Sequence, residues 1–272
     1  MRDPGNVNIN WKNNSRHGKL RRTNDVNLYF VVKKRHYIYP DENSLIAAFK
    51  CEVDRFLRET WEMDRPAHIA LSGGRTPLTT FRLLAETSRA EEWKNVHFYW
   101  GDERMVPPDD SQSNFGNAWR TLIDPLGIPG EQVHRIKGEG NPEQEAERYS
   151  KLLVDQLPVE NGLPVFDWIW LGLGEDGHTA SIFPHQIDLW NAKELCVVAT
   201  HPVTGQKRVS ITGTVINAAR RVTMLVTGKS KSPVVNSIVM KEGDYLDYPA
   251  FYINPNSGFL EWFMDQDATS WL

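Results

Sequence analysis

Asp176 and His178 stand two residues apart in the run Leu171-Gly-Leu-Gly-Glu-Asp-Gly-His-Thr-Ala-Ser-Ile-Phe-Pro184. Phe166, Ile169, Trp170 and Leu171 read as the end of a strand, and Gly172, Gly174 and Gly177 then permit a tight turn that other residues resist. An acid and a histidine displayed at a strand's carboxyl end sit where open α/β sheets place their ligands. Thr179, Ala180 and Ser181 follow, small residues at which a helix is expected to start. A second segment, Ser72-Gly-Gly-Arg-Thr-Pro77, leaves an apolar stretch through a glycine turn into a helical pattern. Backbone N–H groups at such a turn, together with the positive end of the helix, make a cradle for an anion. It matches neither the GxxxxGK[ST] loop nor the GxGxxG fingerprint, so a small phosphorylated metabolite suits it better than ATP or NAD. Charge gathers again at Gly101-Asp-Glu-Arg104 and at Thr227-Gly-Lys-Ser-Lys231, each just past an apolar run.

These four segments need a scaffold that brings them together. Strands are expected at 27–32, 68–71, 95–100, 132–136, 166–173, 196–200, 208–212, 221–226 and 249–253 from bunched β-branched and aromatic residues. Helices are expected at 41–63 with Ser44 as its cap, from Pro77 to about Glu86, from Ser113-Asn114 to about Leu122, and at 141–157, 214–219, 233–240 and 258–264. Strand and helix alternate nearly throughout. That pattern implies an α/β fold: a doubly wound, mainly parallel sheet with helices on both faces. Residues 72–77, 101–104, 174–178 and 227–231 would then converge on one crevice at the carboxyl edge of the sheet. No linker interrupts 28–272, which are expected to form a single domain.

The 272 residues carry a net charge of −4, and 40% of them are hydrophobic, as in a water-soluble globular protein. The charge is asymmetric. Residues 1–35 hold nine Lys/Arg against two Asp/Glu, a net of +7, and the remainder hold 22 against 33, a net of −11. Residues 1–27, Asn-rich and poor in apolar groups, are expected to be a mobile basic extension. The expected reading is a solvated tail rather than a nucleic-acid arm, although an Arg-rich, acid-poor start also allows an organelle transit peptide. No apolar run is long enough to span a membrane. Cys51 and Cys196 are too few and too far apart for a disulfide framework or a zinc pattern, which points to a reducing, cytoplasmic setting. His68 and His97 lie in expected strands and read as buried or paired groups. Ser72 and Ser181 lack a GxSxG context for a serine nucleophile.

Taken in order, Leu71–Pro77, Trp100–Arg104 with Ser113-Asn114, Gly172–Ser181, Pro202 with Arg208-Val-Ser-Ile-Thr212, Gly228–Lys231 and Gly258–Trp262 with Asp265 resemble the 6-phosphogluconolactonases. These belong to the larger superfamily of glucosamine-6-phosphate deaminases and ribose-5-phosphate isomerases. The likeness covers roughly residues 28–267. It implies hydrolysis of 6-phospho-D-glucono-1,5-lactone to 6-phosphogluconate, the second step of the oxidative pentose phosphate pathway, with no organic cofactor and no metal. The implied partner is the sugar-phosphate lactone, with no membrane or nucleic acid, and the protein is expected as a monomer or small homo-oligomer. Arg104 followed by Val-Pro and Ser-Asn favours lactonase over deaminase; a deaminase and a catalytically silent phosphosugar sensor are the alternatives.

Lactone hydrolysis needs an activated water, a stabilised oxyanion and a proton for the ring oxygen. His178 is the expected base, with Asp176 orienting or polarising it. Arg104 is expected to present a cation to the oxyanion or to the phosphate, with Asp102 and Glu103 holding it or touching substrate. Arg208 and Lys231 are expected at the phosphate, with Ser72, Gly73 and Gly74 as the cradle and Arg75 as a further contact.

Overall fold

A computed structural model describes residues 33–272. The basic extension 1–27 and the strand expected at 27–32 lie outside the described residues. The described chain opens with an edge strand, β1 (Lys33–Tyr39), followed by α1 (Glu42–Thr60), β2 (Ala67–Leu71), α2 (Arg75–Thr87), β3 (Val96–Trp100), β4 (Asp102–Arg104) and α3 (Asn114–Ala118). It continues through β5 (Val133–His134), α4 (Pro142–Gln156), β6 (Val159–Glu160), β7 (Leu163–Pro164) and β8 (Trp168–Gly172). The last third holds β9 (Cys196–Thr200), β10 (Lys207–Ile211), α5 (Gly213–Ala218), β11 (Arg221–Val226), α6 (Ser232–Met240) and β12 (Phe259–Asp265).

Seven strands form one parallel sheet in the order β1-β12-β11-β8-β2-β3-β5. Its central strands are buried on both sides: all of β2, all of β8 but Gly172 and all of β11 but Arg221 are buried, so they show no alternation of buried and exposed residues. Helix α1 buries Leu45, Phe49, Val53 and Phe56, and Phe49 meets Trp168, Trp170 and Phe263 edge-on at 5.0–5.5 Å. The tryptophans divide between core and rim as their number suggests: Trp93, Trp100, Trp168 and Trp170 are buried, while Trp61 and Trp271 are exposed.

Several expectations fail for physical reasons. The cap of α1 is Asp41, whose Oδ1 accepts from the Ser44 N–H at 2.7 Å, so Ser44 is the capped residue and not the cap. Residues 249–252 form a 3₁₀ turn begun by Pro249, not a strand. Residues 259–265, expected as a helix, are β12, held between β1 and β11. Full burial removes the alternation that marks a half-exposed strand, and Glu261 disguises it further. That buried carboxylate is paired with Arg221 at 2.7 Å, and the guanidinium lies 3.9 Å over the Trp168 ring. Residues 179–182 make a tight turn closed by a Thr179–Ile182 bridge, so no helix starts there. Finally, β9 and β10 leave the parallel sheet. The short 201–206 connection, closed by the His201 N–H to the Gln206 carbonyl, turns the chain straight back. The two strands pair antiparallel, and with β4 they form a separate three-stranded sheet.

Candidate active site

The carboxyl ends of β2, β8 and β11, together with β4 and β10, border one open cleft of about 380 Å³. The four segments expected to converge do so there. Ser72, Gly73 and Gly74 line one wall, Asp102, Arg104 and Arg208 a second, and His178 and Lys231 complete it.

The cradle is fixed from both sides. The Ser72 hydroxyl donates to the Trp170 carbonyl at 2.6 Å, tying the end of β2 to β8, so this hydroxyl is committed to the scaffold. Gly73 is required by crowding: a Cβ there would fall 1.8 Å from Asn114 Oδ1. Gly74 is required by conformation, with φ at +112° where α2 begins. Below it, Thr76 and Thr227 share a hydroxyl hydrogen bond of 2.6 Å, and Thr76 also donates to Glu42 at 3.2 Å. Arg75 stands on the rim with its side chain three-quarters exposed, 4.0 Å from Glu42. Lys231 ends the 3₁₀ turn after Gly228, whose N–H is held at 3.0 Å by both carboxylate oxygens of Asp265. Burial lowers the Lys231 pKa, opposed by the nearby charges of Glu175 and Asp176.

The second wall rests on Glu103. Its carboxylate is buried outside the cleft lining and accepts from the Ser113 hydroxyl and from the N–H groups of Arg104, Asn114 and Phe115 at 2.7–3.0 Å. Burial raises its pKa while these donors oppose the rise. Glu103 therefore braces the start of α3 and does not face the cleft. Arg104 donates Nη1 to the Gln112 carbonyl at 2.7 Å and keeps a buried Nε without a partner. Arg208 is the direct cross-strand neighbour of Arg104 in the β10–β4 pair. Like charges placed so are unfavourable; here burial and Arg104 lower the Arg208 pKa while Asp102 and Asp176 oppose.

His178 Nδ1 lies 2.5 Å from Asp176 Oδ1, which also accepts the His178 N–H at 3.2 Å. Burial pushes the Asp176 carboxyl up, but the hydrogen bond and charge of His178 outweigh it and hold the group down to about 2. With Nδ1 engaged, Nε2 is the nitrogen left for a substrate or water. The turn that makes this pair is locked from outside. Gly177 has φ at +82°, a Cβ there would meet the Tyr248 ring at 2.5 Å, and its carbonyl accepts from the Ala250 N–H. Phe183 lies 4.7 Å from the His178 ring and 5.4 Å beneath the Arg208 guanidinium.

The sequence reading passed over Asn114, Phe183 and Tyr248 as site residues. Asn114 had a signal in the Ser-Asn pair; its Nδ2 donates to the Asp102 carbonyl at 3.0 Å and it lines the cleft. Phe183 and Tyr248 carry no chemical signal and are found only through contact. Among the described residues no group of three or more His, Cys, Asp or Glu could hold a metal ion. No helix of the described residues is long and apolar enough to cross a membrane.

Residues 40–262 match the family described as glucosamine-6-phosphate isomerases/6-phosphogluconolactonase. The chain is 46% identical over 209 residues to the 6-phosphogluconolactonase of Haemophilus influenzae, spanning 76% of this chain and 88% of that one. It is 47% identical over 206 residues to the 6-phosphogluconolactonase of Treponema pallidum, spanning 75% and 83%. The solved structure of devB protein superposes with a TM-score of 0.81 at 44% identity, covering 87% of this chain and 98% of that one. The 6-phosphogluconolactonase of Trypanosoma brucei superposes at 0.78 with 28% identity, covering 89% and 98%.

Proposed function

The chain belongs to the family of glucosamine-6-phosphate isomerases and 6-phosphogluconolactonases, and we propose that its task is to hydrolyse 6-phospho-D-glucono-1,5-lactone to 6-phosphogluconate, the second step of the oxidative pentose phosphate pathway. The observation that carries the assignment of roles is His178, paired with Asp176, facing the same cleft as a glycine cradle and four cations.

In this reading His178 Nε2 takes a proton from water as its oxygen attacks C1 of the lactone. The carbonyl electrons move to oxygen, and Arg104 meets that charge. Collapse of the intermediate breaks the bond to the ring oxygen, which receives the proton held by His178. The carboxylic acid product then ionises to solvent. Asp176 fixes the imidazole and favours the imidazolium between these steps. The phosphate sits on the Gly73–Gly74 cradle with Arg208 and Lys231 as its cations, and Arg75 closes the rim. Asp102 and Glu103 serve as support rather than as ligands, because their oxygens are occupied by Ser181, Asn114 and the start of α3.

Residues 28–272 act as one domain carrying the basic extension 1–27, in a cytoplasmic protein that works as a monomer or small homo-oligomer without nucleic acid. No organic cofactor or metal enters the scheme. The deciding experiment incubates pure protein with freshly generated lactone and measures acid release above the spontaneous rate. Acceleration is the expected result. No acceleration, or ammonia release from glucosamine 6-phosphate in its place, refutes the reading.

A further inference from the structure

Arg208 is 8% exposed and makes no ion pair among the described residues; its Nε has no partner, and its Nη1 reaches only the Ser181 hydroxyl at 3.4 Å. A buried guanidinium without a carboxylate is costly unless something else requires it to stay free. A carboxylate is close by. Asp102, 4% exposed, faces the same wall, but its Oδ2 is taken by the Ser181 hydroxyl at 2.5 Å and its Oδ1 by Asn114 at 3.3 Å. A serine hydroxyl has one proton to give and lone pairs to accept with. Ser181 gives its proton to Asp102 and turns a lone pair to Arg208, so the acid and the base meet through one oxygen atom instead of directly.

The backbone goes to some length to put that oxygen there. Ser181 is fully buried and follows Ala180, which holds φ at +48°, a conformation that an alanine adopts against steric cost. The Ser181 N–H is caught by the Ser210 hydroxyl at 3.1 Å, and Ser210 is itself the cross-strand neighbour of Asp102. The turn, β4 and β10 thus converge on the one hydroxyl.

We propose that Ser181 is a positioning residue that acts as a spacer: by occupying Asp102 it keeps Arg208 uncommitted, so that this cation is available to the substrate phosphate. The inference rests on the reading above in which Arg208 meets that phosphate. Without the hydroxyl, Asp102 loses a donor in a buried place, and the nearest replacement is Arg208. A direct pair would form in a medium of reduced dielectric and withdraw the guanidinium from the cleft.

The test compares Ser181→Ala, the double variant Ser181→Ala with Asp102→Asn, and Arg208→Ala, reading the affinity of each for inorganic phosphate and for 6-phosphogluconate by calorimetry. Ser181→Ala is expected to weaken both ligands about 10- to 150-fold, the range for loss of one charge-assisted contact. Its KM for the phosphorylated lactone should rise with kcat within about twofold of the original, a split that reflects lost ground-state binding. Hydrolysis of glucono-1,5-lactone, which has no phosphate, should not change. The double variant removes the carboxylate that captures Arg208, and is expected to recover phosphate affinity to within about threefold; it also relieves the orphaned acid, so it folds at least as well as the single one. Unchanged phosphate affinity in Ser181→Ala overturns the inference. So does weakened affinity that the double variant fails to restore, since a serine that merely supported the fold would behave that way. If Arg208→Ala itself leaves phosphate binding unchanged, the underlying phosphate assignment fails, a result distinct from failure of the spacer alone.

Discussion

Replacing Asp176 by Asn keeps the shape of the catalytic turn and removes only its charge. The Asp176 carboxyl is held at about 2 against an ordinary 3.8. That difference corresponds to about 2.4 kcal/mol of interaction favouring the ionised acid. It is a ceiling, because the Asp176 side chain is 42% exposed and solvent screening reduces such a term to roughly 1 kcal/mol. The carboxylate's charge acts on the imidazolium that forms as water loses its proton, while its hydrogen bond to Nδ1 is made with the resting ring as well. Asp176→Asn should therefore lower kcat about 5- to 50-fold and leave KM alone. His178→Ala removes the base itself and should cost about 10²–10⁴-fold. The double variant should be no slower than His178→Ala, since Asp176 works only through the imidazole. Acid release from fresh lactone, corrected for spontaneous hydrolysis, measures all three. If Asp176→Asn is as slow as His178→Ala, or if the two losses multiply, Asp176 has a task of its own and the orienting role is wrong.

Three further outcomes follow from the structure. His68 and His134 are lowered to about 4, chiefly by burial, in a cluster with His97 and Tyr99; the unfolded chain takes up these protons near 6.5 and the folded one only near 4, so stability should fall as pH drops from 6.5 toward 4, by about 2 kcal/mol per histidine between pH 7 and 5, and a flat urea-denaturation profile over that range would contradict it. Glu261→Ala breaks the buried pair with Arg221 but leaves that guanidinium its second partner, Glu52, at 2.7 Å, so the loss should be at the low end of the usual range for such pairs, about 3 kcal/mol by denaturant titration. Gly177→Ala meets both a φ of +82° and the Tyr248 ring; activity should drop at least tenfold, and Tyr248→Ala in the same chain should return part of it by removing the clash.

What the sequence made legible was local chemistry followed by a parallel scaffold. Ser72–Pro77, Asp102–Arg104, Asp176–His178 and Lys231 announce themselves because glycine turns and clustered charge have few other uses at strand ends. The alternation of strand and helix then places them on one edge. The misreadings have different causes, and the first is burial that overrides local pattern. In β12, Leu260, Trp262, Phe263 and Met264 are covered on both faces, so their spacing fits a helix as well as a strand. In 179–182 the chain adopts a turn that demands positive φ of an alanine, a preference invisible in residue type. The departure of β9 and β10 from the main sheet follows from a short connection, yet two apolar runs joined by six residues look alike whichever sheet receives them.

That departure has a chemical consequence. A parallel sheet can deliver only what leaves its carboxyl ends, here the cradle, the Asp176–His178 turn and the Lys231 turn. Arg208 is the second residue of β10, and it borders the cleft beside β4, with which β10 pairs antiparallel. The same pairing places Ser210 opposite Asp102 and brings both to Ser181. The small sheet therefore does two things at once. It sets two arginines side by side, which concentrates positive charge for an anionic substrate, and it places the Ser181 hydroxyl between Arg208 and Asp102, which leaves the Arg208 charge unspent.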